Sequence, residues 1–215
     1  MRARPLVLLI SFALLLSGCA ESSQKYAANK DVGAYFTVPK KWIKIDGKTL
    51  RKTELKGADD AGREKANLVL WQEAYSKLPL QSTKEIFGIN PSNHPIALAR
   101  IRQLSVEESN GVSFNSLRDL IIPVTKLYSG ESSVVSDFVL LDDEEIVEKG
   151  ARGVRTTFSF TPPGSSNETV KQTALISEDR STLYFFIVRC TTKCFKANAK
   201  EIEEISDSFT VRGVR

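Results

Sequence analysis

Histidine, methionine and cysteine are the scarcest chemistry-bearing residues of this 215-residue sequence, with one, one and three occurrences. The single histidine is the most restrictive, because a Ser-His-Asp or Cys-His triad would have to pass through His94. His94 lies in Asn90-Pro91-Ser92-Asn93-His94-Pro95, a loop sequence with no nucleophile motif nearby, so a surface histidine is expected and no catalytic residue is assigned. Two cysteines and one distant histidine do not complete a four-ligand zinc site, and no metal or other cofactor is expected. No apolar run reaches the roughly 20 residues that a spanning helix requires. A strong surplus of one charge is also missing. The net charge of +4 falls to +2 if Arg2 and Arg4 are removed with a leader, which speaks against a nucleic-acid partner. No internal repeat is visible.

What is present begins at the N-terminus. Arg2 and Arg4 precede the apolar stretch Leu6 to Leu16, interrupted only by Ser11. A short positive segment, an apolar core of this length and small residues after it are the signature of a secretory signal peptide. The following Leu16-Ser17-Gly18-Cys19 looks like a bacterial lipobox. That likeness implies diacylglyceryl transfer to the Cys19 thiol and cleavage between Gly18 and Cys19, which leaves Cys19 as an acylated N-terminus carrying palmitate. Two or more acyl chains give a stable anchor, at roughly 0.8 kcal/mol per buried methylene. The expected organisation is a signal peptide over 1–18, a lipidated N-terminus and flexible tether over 19–32, and one globular domain over 33–215, held at the extracytoplasmic face of the cell membrane.

Export sets the redox compartment, where disulfides are permitted. Cys190 and Cys194, in Cys-Thr-Thr-Lys-Cys, are expected to form a local disulfide between a strand and a helix. Their spacing is C-x3-C, not the C-x-x-C of thioredoxin-like redox sites.

Along the domain, Ala34 to Ile45 begins as a strand and turns at Pro39, and Asn67 to Tyr75 and Pro95 to Ser105 read as strands. Ser82-Thr-Lys-Glu85 has the form of a capping box before a short helix. Phe114, Leu117 and Ile121 fit a helix that starts after Ser113 and is stopped by Pro123. Phe138 to Leu141 is apolar and precedes an acidic bend. Gly153 to Thr161 alternates as a strand with one buried face, and Val170 to Ser177 is its hairpin partner. Ser181 to Cys190 is apolar on both faces, which predicts a central strand covered on each side. Phe195, Ala199, Ile202, Ile205 and Phe209 recur at helical spacing and predict a closing helix. The fold class is therefore α+β, an antiparallel sheet packed by helices.

Three stretches carry a likeness to a known group: Tyr35-Phe36-Thr37-Val38-Pro39-Lys40-Lys41-Trp42, Gly150-Ala151-Arg152-Gly153-Val154-Arg155 with the strands that follow, and Ile205-Ser206-Asp207-Ser208-Phe209. In these the domain resembles the PsbP-like superfamily, which includes the LpqN-type lipoproteins of actinobacteria. Lys41 stands where that group commonly has glycine, and residues 76–136 match nothing in its pattern. The resemblance implies an α/β/α sandwich and no shared catalytic residues, because members act mostly as binding or assembly proteins.

Two charged clusters remain. Asp142, Asp143, Glu144, Glu145 and Glu148 lack the glycine turn and ligand spacing of a calcium loop, so a solvated strand edge or turn is expected. Lys40, Lys41, Lys44, Lys48, Arg51, Lys52 and Lys56 form a basic segment near the tether. It is the candidate surface-binding segment, suited to anionic lipid headgroups or cell-wall polymers, with a solubilising loop as the plainer reading. The functional expectation is a non-catalytic binding or scaffolding module for a cell-envelope protein. A carrier or sensor of a small apolar or anionic ligand is the alternative.

Overall fold

The stretch from Ser181 to Cys190 buries side chains on both of its faces, and the main sheet is built around it. The computed structural model describes residues 23–88 and 91–212. Gly18 and Cys19, the expected cleavage and lipidation residues, lie outside the described residues. The strands are β1 (Gln24–Asn29), β2 (Ala34–Pro39), β3 (Ile43–Ile45), β4 (Val69–Ser76), β5 (Ile96–Gln103), β6 (Ser136–Glu148), β7 (Ala151–Thr161), β8 (Glu168–Ser177), β9 (Thr182–Thr191) and β10 (Thr210–Val211). The helices are α1 (Gly47–Leu55), α2 (Asp60–Asn67), α3 (Lys84–Phe87), α4 (Val106–Gly111), α5 (Phe114–Arg118), α6 (Val124–Tyr128), α7 (Thr192–Ala197) and α8 (Ala199–Asp207). Seven strands form one antiparallel sheet in the order β3-β4-β5-β9-β8-β7-β6, with β9 in the middle as its two-sided apolar pattern requires. A small sheet, β1-β2-β10, lies on one face together with α7 and α8. The architecture is α+β, a helix-packed antiparallel sheet.

On that first face the core is aromatic. Phe186 of β9 stacks on Phe209 with ring centroids 4.8 Å apart, and Phe36 of β2 sits 4.9 Å from Phe186. Ile202 and Ile205 of α8 close the same cluster. Gly33 holds the β1–β2 turn at φ 64°, where an added Cβ would overlap the Arg212 carbonyl oxygen. Glycine is required there by both conformation and space. The second face is covered by short helices, each giving one fully buried side chain: Leu50 from α1, Ile86 from α3, Leu117 from α5 and Val124 from α6.

Several expectations are corrected. Gln24–Asn29, expected within a flexible tether, is strand β1 in full register with β2. It buries only Ala27, as an edge strand does, so its sequence shows no apolar period. The stretch 46–66 forms two capped helices. Asp46 accepts the Thr49 N–H and Asp59 the Gly62 N–H, both at 2.8 Å. The acidic run takes the first of its two expected forms, a solvated strand edge, and not a bend: β6 continues through it to Glu148. Asp143 meets Arg118 and Glu144 meets Arg155, and these ion pairs carry the run through the strand. The second face of β7 is buried as well, because its Arg155 and the β8 residue Lys171 are covered by α8, paired with Asp207 at 3.0 Å and Glu203 at 2.5 Å. Pattern reading counts Arg, Thr and Ser as outward. The α5 helix stops at Arg118, short of Ile122. The closing helix is broken at Asn198, whose side chain donates to the Cys194 carbonyl at 2.8 Å. Cys190 and Cys194 lie at disulfide distance across the β9–α7 corner, with Cα atoms 6.0 Å apart and both side chains buried.

Candidate functional site

The strand β3 is only three residues long and pairs with Ala74 to Ser76 of β4. Beyond it, Val69 to Glu73 form the outer edge of the sheet, with no strand beside them on that side among the described residues. The register of β4 against β5 slips between Val69 and Trp71, so Leu70 is an inserted residue that turns outward, 45% exposed. Trp71 is half-buried with its ring 6.1 Å from that of Phe36. The first turn of α1 approaches this edge, and Gly47 comes so close to the Gln72 carbonyl that a Cβ would collide with it. Between helix and strand lies an open groove of about 540 Å³. Val69, Leu70 and Trp71 supply its apolar lining, and Asp46, Lys48, Arg51 and Glu73 supply charge.

The basic segment of the sequence is divided by the fold. Lys48 and Arg51 line this groove, but Arg51 also braces the two helices, donating to the Ala66 carbonyl at 2.6 Å and to Asn67 Oδ1 at 2.7 Å. Lys52 is exposed on α1. Lys44 on β3 is held by Glu73 at 2.5 Å, and the second Glu73 oxygen accepts the Tyr75 hydroxyl. Burial, that hydrogen bond and the Glu73 charge all push the Tyr75 phenol well above its ordinary value. Lys40 and Lys41 leave the segment altogether and sit in the turn after β2, where the Lys40 N–H donates to the Ser23 carbonyl at 2.9 Å.

His94 is half-buried, which corrects the expectation of a surface residue. The Ser76 hydroxyl gives its proton to the Leu78 carbonyl at 2.6 Å, so His94 Nε2–H is the donor to Ser76 Oγ at 2.9 Å. That leaves Nδ1 to accept from Ser92 at 3.1 Å. A general base must accept the proton of its nucleophile, and toward Ser76 the polarity is the reverse. His94 therefore fastens a loop to the end of β4. Burial lowers its pKa, opposed in part by Glu85. Glu168, almost fully buried, has its carboxyl pushed up by desolvation and pulled down by Arg189, whose Nε lies 2.5 Å away. Arg189 also reaches the Gly88 carbonyl, so this pair holds the loop after α3. Among the described residues no group of three His, Cys, Asp or Glu side chains is placed to hold a metal ion, and no helix is long and apolar enough to cross a membrane.

The groove was not anticipated from the sequence. Its signal was present in the apolar run Leu68 to Trp71, but a run of that kind reads equally as a buried strand. What exposes it is the shortness of β3.

No protein-family model and no curated protein matches the chain. Solved structures do. Cyanobacterial PsbP (CyanoP) from Synechocystis sp. PCC 6803 is 14% identical and covers 90% of this chain and 95% of its own, with a TM-score of 0.48. LpqN of Mycobacterium tuberculosis, described as involved in cell envelope biogenesis, is 12% identical, with coverages of 88% and 91% and a TM-score of 0.48. The Ran-binding protein Mog1p of Saccharomyces cerevisiae is 11% identical, with coverages of 87% and 95% and a TM-score of 0.45. These are likenesses of overall arrangement, and function does not follow from arrangement alone.

Proposed function

We propose that this chain is a non-catalytic binding module of the cell envelope, exported, cut before Cys19, held by acyl chains at the extracytoplasmic face, and seating an extended segment of an envelope protein in the groove beside β4. The observation that carries this reading is the contrast between the two edges of the main sheet. At the β6 edge, acidic side chains stand among the exposed Val139, Leu141 and Val147 and guard the strand. At the β4 edge the guard is a bulge and the first turn of α1, and between them Val69, Leu70 and Trp71 line an open groove. Strand addition at an edge supplies main-chain hydrogen bonds and pockets for alternate side chains, and tryptophan and arginine, both present in the groove lining, are enriched among interface anchors. The buried Cys190–Cys194 pair supports an oxidising compartment.

The test is in-cell photocrosslinking from position 70, with position 131, which follows the α6 helix packed on β6, and the Cys19→Ser form as controls. One recurrent envelope protein captured from position 70 alone, and only when the anchor residue is intact, is the expected result. No reproducible protein would sink the reading. The groove's volume also falls in the range of small-ligand sites. A carrier of a small apolar or anionic ligand would then show an added mass in native mass spectrometry, lost in Trp71→Ala.

A further inference from the structure

Covalent geometry limits how far an anchor at Cys19 can stand from the fold. Ser23 is four residues on and already belongs to the domain through its bond to the Lys40 N–H, and Gln24 opens β1 opposite Pro39. Four residues span at most about 14 Å. Electrostatic screening at physiological salt extends over about 8 Å, so charges beside Ser23 enter the field of the headgroup layer whenever the linker is less than fully extended.

Those charges converge from four separate parts of the sequence. An open cavity of about 540 Å³ lies at this end, and its lining includes Ser23, Pro39, Lys41, Lys77, Asn198 and Lys200. Glu201 and Glu204 reach it as well, but Lys77 neutralises Glu201 at 2.9 Å while also donating to Asn198 at 2.7 Å. Lys40 is exposed in the adjoining turn, and Lys25 of β1 reaches the Trp42 carbonyl at the same end. Five lysines thus stand with two carboxylates at the end that carries Ser23, Lys25 with its ammonium tied to the Trp42 carbonyl and over the Tyr75 ring.

We infer that this end is a membrane-contact surface for anionic lipid headgroups, which fixes the domain in one orientation on the bilayer. The inference rests on the proposed acylation of Cys19. It differs from the basic-segment expectation in its membership: Lys44, Lys48, Arg51 and Lys52 do not belong to it, whereas Lys25, Lys77 and Lys200 do. The anchor supplies the proximity and the lysines supply the orientation. Near an anionic surface each lysine multiplies the docked population by about fivefold.

The test uses the lipidated full chain purified from bacterial membranes, with acylation of Cys19 read by mass spectrometry on the same sample. A fluorescent non-natural side chain is placed at Ala197, on the lysine-bearing end, or at Glu131, and the protein is reconstituted into vesicles carrying a trace of headgroup-spin-labelled lipid as quencher. With phosphatidylglycerol in the vesicles, quenching at 197 should exceed that at 131 severalfold. With phosphatidylcholine alone the difference should shrink. The triple variant K40Q/K41Q/K200Q should reduce the docked population about a hundredfold, with its fold checked by urea unfolding. Wild-type protein at about 1 M salt, where screening shortens to about 3 Å, should lose the same preference without any substitution. Equal quenching at 197 and 131 in acylated protein would overturn the surface and leave the anchor standing. A preference indifferent to both charge and salt would overturn the headgroup assignment. An unmodified Cys19 would overturn both.

Discussion

The two faces of the seven-stranded sheet are closed in different ways. On the face that carries β1, β2, β10, α7 and α8, regular elements meet in a continuous aromatic cluster centred on Phe36, Phe186 and Phe209. Polar side chains on that face are satisfied by ion pairs to a two-turn helix, Lys171 to Glu203 and Arg155 to Asp207. On the opposite face the cover is a chain of helices of four to nine residues, joined by loops and fastened at separate points, as by Gln172 Nε2 to the Leu117 and Arg118 carbonyls and by Arg118 to Asp143. A short helix has little stability of its own and depends on the side chain it buries. The first face is therefore cooperative with the sheet. The second is a set of locally docked pieces, and the open groove lies at its border.

Substitutions can break or sharpen this contrast. The largest effect is expected for Phe186→Ala, about 3–5 kcal/mol in urea unfolding, because the cavity opens in the middle of the aromatic cluster. On the other face Leu117→Ala should cost about 2–3 kcal/mol, and its signature should differ: hydrogen exchange should rise over 113–128 ahead of global unfolding. Equal exchange throughout the sheet would show that the second face is as cooperative as the first. Replacing Cys190 and Cys194 by serine should cost about 2 kcal/mol, the chain-entropy value for so short a loop, measured as the shift in urea midpoint against the oxidised protein.

The smallest effect concerns His94 at the edge of the second face. Burial depresses its pKa in the folded state, so the unfolded chain binds the proton more readily. Stability is then complete above the unfolded histidine range, near pH 6.5, and declines as pH falls below it toward the folded value. Urea midpoints at about pH 7.5 and pH 5.5 should differ in wild type and converge in His94→Gln. A pH dependence unchanged by the substitution would place the titration elsewhere.

How much of this was legible in the sequence follows the same division. The alternation of β7 and β8, the two-sided apolar run of β9 and the helical spacing of Ile202 and Ile205 were readable because each is periodic over eight or more residues or ends on a clear breaker. Short helices such as α4 and α6 bury at most one residue each, too few to leave a period. β1 buries a single alanine and was mistaken for tether. The acidic run on β6 was legible as a solvated strand edge but was not told apart from a bend, because its partners, Arg118 and Arg155, are distant in sequence. Of the candidate site, Lys48 and Arg51 were named for their charge. Leu70 and Trp71 were not, since apolar side chains at an exposed edge look the same in sequence as those in a core.

The sequence by itself determined the central strand, the sheet–helix class and the position of the cysteine pair, and it carries the apolar N-terminal run and Cys19 motif that motivate the anchor proposal. Each is a local pattern, set by periodicity, by breakers or by a short run of residue types. Only the tertiary structure decided that β3 ends early and bares the edge of β4, that the basic segment is split, and that Lys25, Lys41, Lys77 and Lys200 gather around Ser23. Strand lengths, edges and charge clusters of that kind arise from pairing between distant segments, and a contact between distant segments leaves no mark in either one alone.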